Sequence, residues 1–181
     1  MKFIHILNRK TYIKIKMNDI CEKISYGAVS NSVKFDGTNR YIRISDINEY
    51  GMLKSTSLVS PSFYNDKFLV KKNDILITRL GNKTGNSYLH VNDTYNSYFA
   101  GYLIKATIKD AFYAPYIYYL TKTIRFRKYV SEIRKNKNIK SLNIKEYSDF
   151  FVYLPGLMEQ KEAVEKLSFL QKNIYTQSKL L

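Results

Sequence analysis

The hydrophobic pattern changes period along the chain. The longest regular alternation runs through Tyr98, Ala100, Tyr102, Ile104, Ala106 and Ile108, and it predicts one strand over 97–108. "YIRISDI" (41–47) alternates in the same way and reads as a second strand. "KFLVKKNDILITRLG" (67–81) reads as two strands flanking a polar turn at Lys72-Asn73-Asp74. "YIKIKMNDICEKI" (12–24) alternates and then turns helical, with Asn18 or Asp19 placed to cap. Residues 25–40 are rich in Gly, Ser and Asn and read as loop, as does "GNKTGNSY" (81–88).

After Pro115, which suits the first turn of a helix, the period becomes helical through Tyr116, Tyr119/Leu120, Thr123, Phe126, Val130 and Ile133. One or two helices fit there. Residues 136–147 are polar and basic, and "DFFVYLP" is a last strand ended by Pro155. With no repeat at a fixed period, the order of elements predicts an α+β fold: a twisted mixed or antiparallel sheet with a few helices, followed by a protruding coiled-coil-type helix.

In that last helix the apolar series is Ala163, Leu167, Leu170, Ile174 and Leu181, with Gln177 in the same row. Steps alternate between four and three, the seam by which one helix packs along another. Glu159 and Glu162 lie in the first turn, where carboxylates suit the helix dipole. Its roughly 23 residues reach about 35 Å. The helix either covers the body's own sheet or meets a second polypeptide; the narrow seam favours the latter. The expected division is residues 1–155 as one domain and 156–181 as the partner helix.

Charge narrows the choice of partner. The 181 residues hold 30 Lys and Arg against 15 Asp and Glu, a formal +15. Such an excess suits a polyanion, nucleic acid or an anionic membrane surface. A merely Lys-rich soluble protein from an AT-rich genome has the same composition. The helical tail from 159 to 181 carries only +1, leaving +14 on the body. A membrane-surface helix would itself be basic, so the charge points to nucleic acid. "FIHIL" is too short for a signal peptide, and no window approaches a membrane span. The lone cysteine, Cys21, fits a reducing cytoplasm. His5 and His90 stand apart without ligand spacing, so no metal or cofactor is expected.

Nine basic residues fall between Lys122 and Lys145 with a single acid, Glu132, among them. The candidate DNA-binding set is Asn39, Arg40, Arg43 and Ser45; Arg79, Asn82, Lys83, Thr84 and Asn86; and Arg134, Lys135, Lys137, Asn138 and Lys140. Lys and Arg neutralise phosphates, while Arg reads guanine and Asn reads adenine through paired hydrogen bonds. For any single lysine a solvated face is the favoured reading, and most of the 17 tyrosines belong to core and strands. Catalytic motifs are missing: no phosphate loop, no G-x-S-x-G, no H-E-x-x-H, and no Pro-Asp or Asn-Pro-Pro motif.

From about residue 12 onward the chain resembles a target-recognition domain of the specificity subunit of type I restriction–modification enzymes. "IKMNDICEKI" resembles the opening helix, "YIRISDINEYGML" the first strand and turn, "KKNDILITRLGNKTG" the paired strands with their glycine loop, and "APYIYYL" the Pro-led helix. "NIKSLNIKEYSDFFVYLPGLMEQKEAVEKL", with Leu154-Pro155 before Glu159-Gln160, resembles the exit into the long helix. The resemblance implies a non-catalytic, cytoplasmic, sequence-specific component that reads one half of a bipartite DNA target. It implies helices that space the domains and dock methyltransferase subunits, which carry the S-adenosylmethionine chemistry and bring in restriction subunits. A usual specificity subunit has two recognition domains and two long helices. One domain with a shorter helix implies a half-subunit pairing with a second copy, a truncated gene, or an excised piece. Other readings are an adaptor or decoy that binds methyltransferase subunits without reading DNA, and a small nuclease.

Overall fold

A computed structural model describes residues 12–54, 56–91, 94–135 and 141–178. Ten strands and five helices follow one another: β1 Ile13–Lys16, α1 Met17–Ile20, β2 Cys21–Tyr26, β3 Ser32–Lys34, β4 Asn39–Ile42, β5 Val59–Pro61, β6 Ile75–Thr78, β7 Ser87–Leu89, β8 Asn96–Phe99, β9 Leu103–Ile108, α2 Ala114–Leu120, α3 Ile124–Lys135, α4 Ile144–Ser148, β10 Phe151–Leu154 and α5 Leu157–Ser178. The central sheet has the order β2-β9-β6-β7, and β1–β10, β3–β5 and β4–β8 form pairs beside it. All of these pairings are antiparallel except β4–β8.

The central sheet is covered on both faces. Ile75, Ile77, Ile104 and Ala106 face a large cluster with Met17, Ile20, Ile117, Phe126, Leu142, Tyr147 and Phe150. Leu76 and Leu103 face the other side, with Ile42, Ile47 and Phe99. Lys105 shares that second side and is buried. Its ammonium meets Asp74 at 3.4 Å and the Leu69 carbonyl at 2.5 Å, and Asp74 also accepts from Thr107. A charge withdrawn from water is tolerated when paired and hydrogen-bonded in this way.

Several predicted elements come out differently. The alternating run 97–108 is two strands, because the chain turns at Ala100–Gly101–Tyr102 and Leu103 N donates to Ala100 O at 2.9 Å. The alternation survives the break since β8 and β9 happen to continue in phase. In 41–47 the strand β4 ends at Ile42. The Asp46 carboxylate takes the Arg43 backbone N–H at 2.8 Å and closes a 3-10 turn over Ile44–Asp46. In 67–81 only β6 is a strand; its predicted partner is a 3-10 turn at Asp66–Phe68, capped by Asn65. The predicted helix in 12–24 is the single turn α1, capped by neither Asn18 nor Asp19. The loop expected at 25–40 holds the end of β2, all of β3 and the start of β4. In 136–147 the described part contains α4, opened by a capping box between Asn143 and Glu146.

α5 lies along α2 rather than over the sheet. The Gln171 side-chain amide donates to Tyr118 Oη at 2.9 Å and to the Tyr50 carbonyl, and accepts from Tyr119 Oη at 2.7 Å. Tyr175 meets Tyr50 edge-on. The face used is therefore that of Val164, Gln171 and Tyr175, and the predicted seam points elsewhere.

Segment 27–28 crosses the end of β8 at backbone contact. Ala28 N donates to Phe99 O at 2.9 Å, and Gly101 N donates to Ala28 O at 2.7 Å. A Cβ on Gly27 would stand 2.3 Å from Ala100 O and 2.4 Å from Phe99 O, so only glycine fits. Gly27→Ala should force the two segments apart and cost about 1–3 kcal/mol, read as a lowered urea midpoint at unchanged slope.

Candidate nucleic-acid interface

The 27–28/99–101 contact is the floor of a concave surface of about 880 Å³, walled by Ala28–Ser32, Tyr41, Arg43–Ser45, Lys54, Arg79, Lys83 and Ala100–Tyr102. Among the described residues four cations line it and no carboxylate does. Each cation is positioned by a different element. Arg43 follows β4, and the Asp46 carboxylate holds its guanidinium at 2.9 Å from Nη2. Lys54 arrives on a turn whose backbone returns to the same place: Lys54 N donates to Asp46 O at 2.9 Å. Arg79 stacks 4.4 Å from the Tyr26 ring centroid, and its Nη1 donates to Gly101 O at 3.4 Å. Lys83 reaches from the β6–β7 loop to the Ile47 carbonyl at 3.0 Å.

That loop is internally tied. Gly85 N donates to Thr78 O at 2.8 Å, and Asn86 N donates to Lys83 O at 2.8 Å. The Thr84 hydroxyl donates to Gly81 O at 2.7 Å. The backbone of Arg79 is held on both sides, by Tyr102 O at 3.0 Å and by Leu142 N at 2.9 Å. The cations therefore stand on ordered backbone and need little ordering on contact with an anion.

On the other side of the loop is a second concavity of about 640 Å³, lined by Thr84, Asn86, Lys122, Arg127, Arg134, Glu49 and Ile174 among others. Arg134 Nη2 donates to Gly81 O at 3.2 Å, and Arg134 Nε is buried without a partner. Lys122 lies 4.7 Å from the Tyr118 ring centroid, where a Cβ on Gly51 would come within 2.2 Å of its Nζ. Burial first, and the Arg127 charge second, push the Lys122 ammonium down to about 8. Burial also pushes the Cys21 thiol up to about 12, which makes it a core group rather than a nucleophile.

The predicted set is thus sorted by the fold. Arg43, Ser45, Arg79 and Lys83 meet in the first concavity, and Thr84, Asn86 and Arg134 line the second. Asn82 and Lys135 are exposed at the loop tip and at the end of α3. Arg40 does not face out: it is 8% exposed, and its Nη2 donates to Lys54 O at 2.7 Å. Thr84 is buried too, its hydroxyl spent on the loop. Asn39 stands at the opposite end of β4 from Arg43. It donates to Asp36 at 2.9 Å, accepts from Asn96 at 3.2 Å, and helps hold the Asp36 carboxyl well below the usual carboxylate range. Lys137, Asn138 and Lys140 lie outside the described residues, as does Leu181. Of the helix seam, Leu167, Leu170 and Ile174 are 39%, 53% and 53% exposed; Gln177 is exposed and Ala163 half-buried. Sequence reasoning missed Lys54, Val29 and Tyr102 in the first concavity, because nothing in their local pattern marks them. Among the described residues no helix is long and apolar enough to cross a membrane, and no group of three or more His, Cys, Asp or Glu is placed to hold a metal.

The chain is an α+β body with a basic, loop-built concavity and a long terminal helix. The sequence profile of the type I restriction modification DNA specificity domain matches residues 9–181, and the chain belongs to that family. Three solved structures share its fold. One is a chain from work on complex assembly and conformational transition of the type I restriction–modification system, with a TM-score of 0.69 and 16% identity over 93% of this chain. The HsdS subunit from Thermoanaerobacter tengcongensis gives 0.64 and 16% over 93%. The type I restriction–modification S subunit from M. genitalium gives 0.64 and 19% over 97%. The match spans 40%, 39% and 42% of those chains, respectively. No curated protein matches the sequence significantly.

The half-buried Lys122 carries a pH signature. Folding favours its neutral amine, so the folded chain loses this proton near pH 8 while the unfolded chain holds it to about 10.5. Across that window the unfolded state binds more protons, and stability rises with pH. Compared with Lys122→Met, the wild-type chain should gain on the order of 2 kcal/mol between about pH 7.5 and 9.5, measured by chemical denaturation at each pH.

Proposed function

We propose that residues 1–155 bind double-stranded DNA and read one half of a bipartite target for a type I restriction–modification enzyme. The observation that carries this reading is the convergence of Arg43, Lys54, Arg79 and Lys83 on one concave surface that no carboxylate lines. Such a surface suits closely spaced phosphates. Ser30, Asn31, Ser32 and Ser45 on the same walls supply the donors and acceptors that base edges require. The role is binding and delivery, with the chemistry carried by other subunits.

Residues 156–181 are then the partner helix. Leu167, Leu170 and Ile174 stay exposed although α5 is packed along α2 through another face. That supports docking of methyltransferase subunits, which would bring restriction subunits, or pairing with a second recognition domain or a second copy. A two-fold pair would read a pseudo-palindrome with a fixed gap.

Lys83→Ala should weaken binding to all duplexes alike and lower the salt slope by about 1, whereas Arg79→Ala should cost about 1–3 kcal/mol and relax preference at one position. Binding isotherms across a salt series check both, and unchanged affinity in the two variants would place the DNA elsewhere. Leu167→Asp with Leu170→Asp should abolish assembly with the cognate methyltransferase subunit, or self-association, and leave the melting temperature unchanged, measured by light scattering and thermal unfolding.

A further inference from the structure

Two large side chains with apolar surface stand in water, unexplained by the core. Val29 is 93% exposed and Tyr102 is 61% exposed, and both line the concavity that holds Arg43, Lys54, Arg79 and Lys83. They sit on the two backbone segments that touch. Gly101 N is bonded to Ala28 O, and a Cβ on Gly101 would lie 3.4 Å from the Val29 side chain. The tips carrying them are therefore held side by side: Gly27 leaves no room to move towards β8, and Tyr102 O holds Arg79 N at 3.0 Å.

Single exposed hydrophobic residues need no explanation. A valine and a tyrosine adjoining on rigid tips, ringed by four cations, do. Both side chains are cheap to immobilise, valine because it is stiff at χ1 and tyrosine because it has few rotatable bonds. An occupant that satisfies them must be apolar where they reach and anionic around that point. A protein partner can also join an apolar core to a charged rim, but the match to a DNA specificity domain favours DNA. Duplex DNA brings both features, since base edges lie between two phosphate backbones and thymine presents a methyl group in the major groove.

We propose that Val29 and Tyr102 are the base-contacting tip of this surface, Val29 against a thymine methyl and Tyr102 against the base next to it, beside the base that Arg79 reads, while Arg43, Lys54 and Lys83 hold the flanking phosphates. This rests on the DNA-binding reading above. The tip adds sequence preference to that of Arg79, and the other three cations supply affinity.

Selection from random duplexes, with the methyltransferase partner present, gives the wild-type motif. Val29→Ser and Tyr102→Ala should retain the melting temperature and should each lose preference at one or two adjacent positions, by roughly tenfold or more. Replacing the thymine at the affected position by uracil, which lacks only the methyl, should weaken wild-type binding and leave Val29→Ser indifferent. If both variants return the wild-type motif with undiminished preference, or if no uracil substitution affects the wild type, the tip is not a reader, although the chain still binds DNA. If the wild type selects no motif at all, the DNA reading itself fails and the proposal falls with it.

Discussion

The structure depends on one close contact between main chains. Segment 27–28, leaving β2, touches the turn between β8 and β9 with no β-carbon between them. β2 and β9 belong to the central sheet, whereas β8 pairs with β4 outside it. Ala100 N donates to Ile42 O at 2.9 Å, and the Tyr41 hydroxyl donates to Ala28 O at 2.8 Å. The contact thus joins the two parts of the body and draws the end of β4, with Arg43 just beyond it, towards the end of β6, with Arg79 just beyond it. Cations remote in sequence become neighbours because the backbones between them cannot separate.

The α5 contact follows a different logic. It relies on an amide that meets Tyr50, Tyr118 and Tyr119, so it fixes orientation by hydrogen bonds more than by buried area. Hydrogen bonds of this kind contribute modestly when made and cost more when one partner is orphaned. The helix is aligned on α2, and Leu167, Leu170 and Ile174 stay exposed on another face. In a family whose larger members extend well beyond this chain's length, such an alignment would set the direction in which the rest of an assembly grows.

What could be read in the sequence was what local rules control. Pro115 at the start of α2, Pro155 after β10 and the long α5 follow from backbone sterics and periodicity. Arg43, Ser45, Arg79 and Lys83 were legible as polar and basic residues beside strand ends. Arg40 was not, since β4 is buried over Arg40–Ile42 and alternation says nothing about a strand covered on both sides. Nor was Lys105, a charge inside a strand, whose partners Asp74 and Leu69 are distant in sequence. The same limit applies to Lys54, Val29 and Tyr102. Each joins the concavity through a tertiary turn that no local period encodes.

The floor of that concavity is peptide backbone, and much of its rim is side chains facing solvent, with few core contacts to lose. Exchanging Val29, Ser32, Ser45, Lys54 or Tyr102 would barely disturb the packing beneath them, since surface changes usually stay within about 0.5 kcal/mol. A scaffold of this kind lets the residues of the rim be exchanged over evolutionary time while the architecture beneath them stands still.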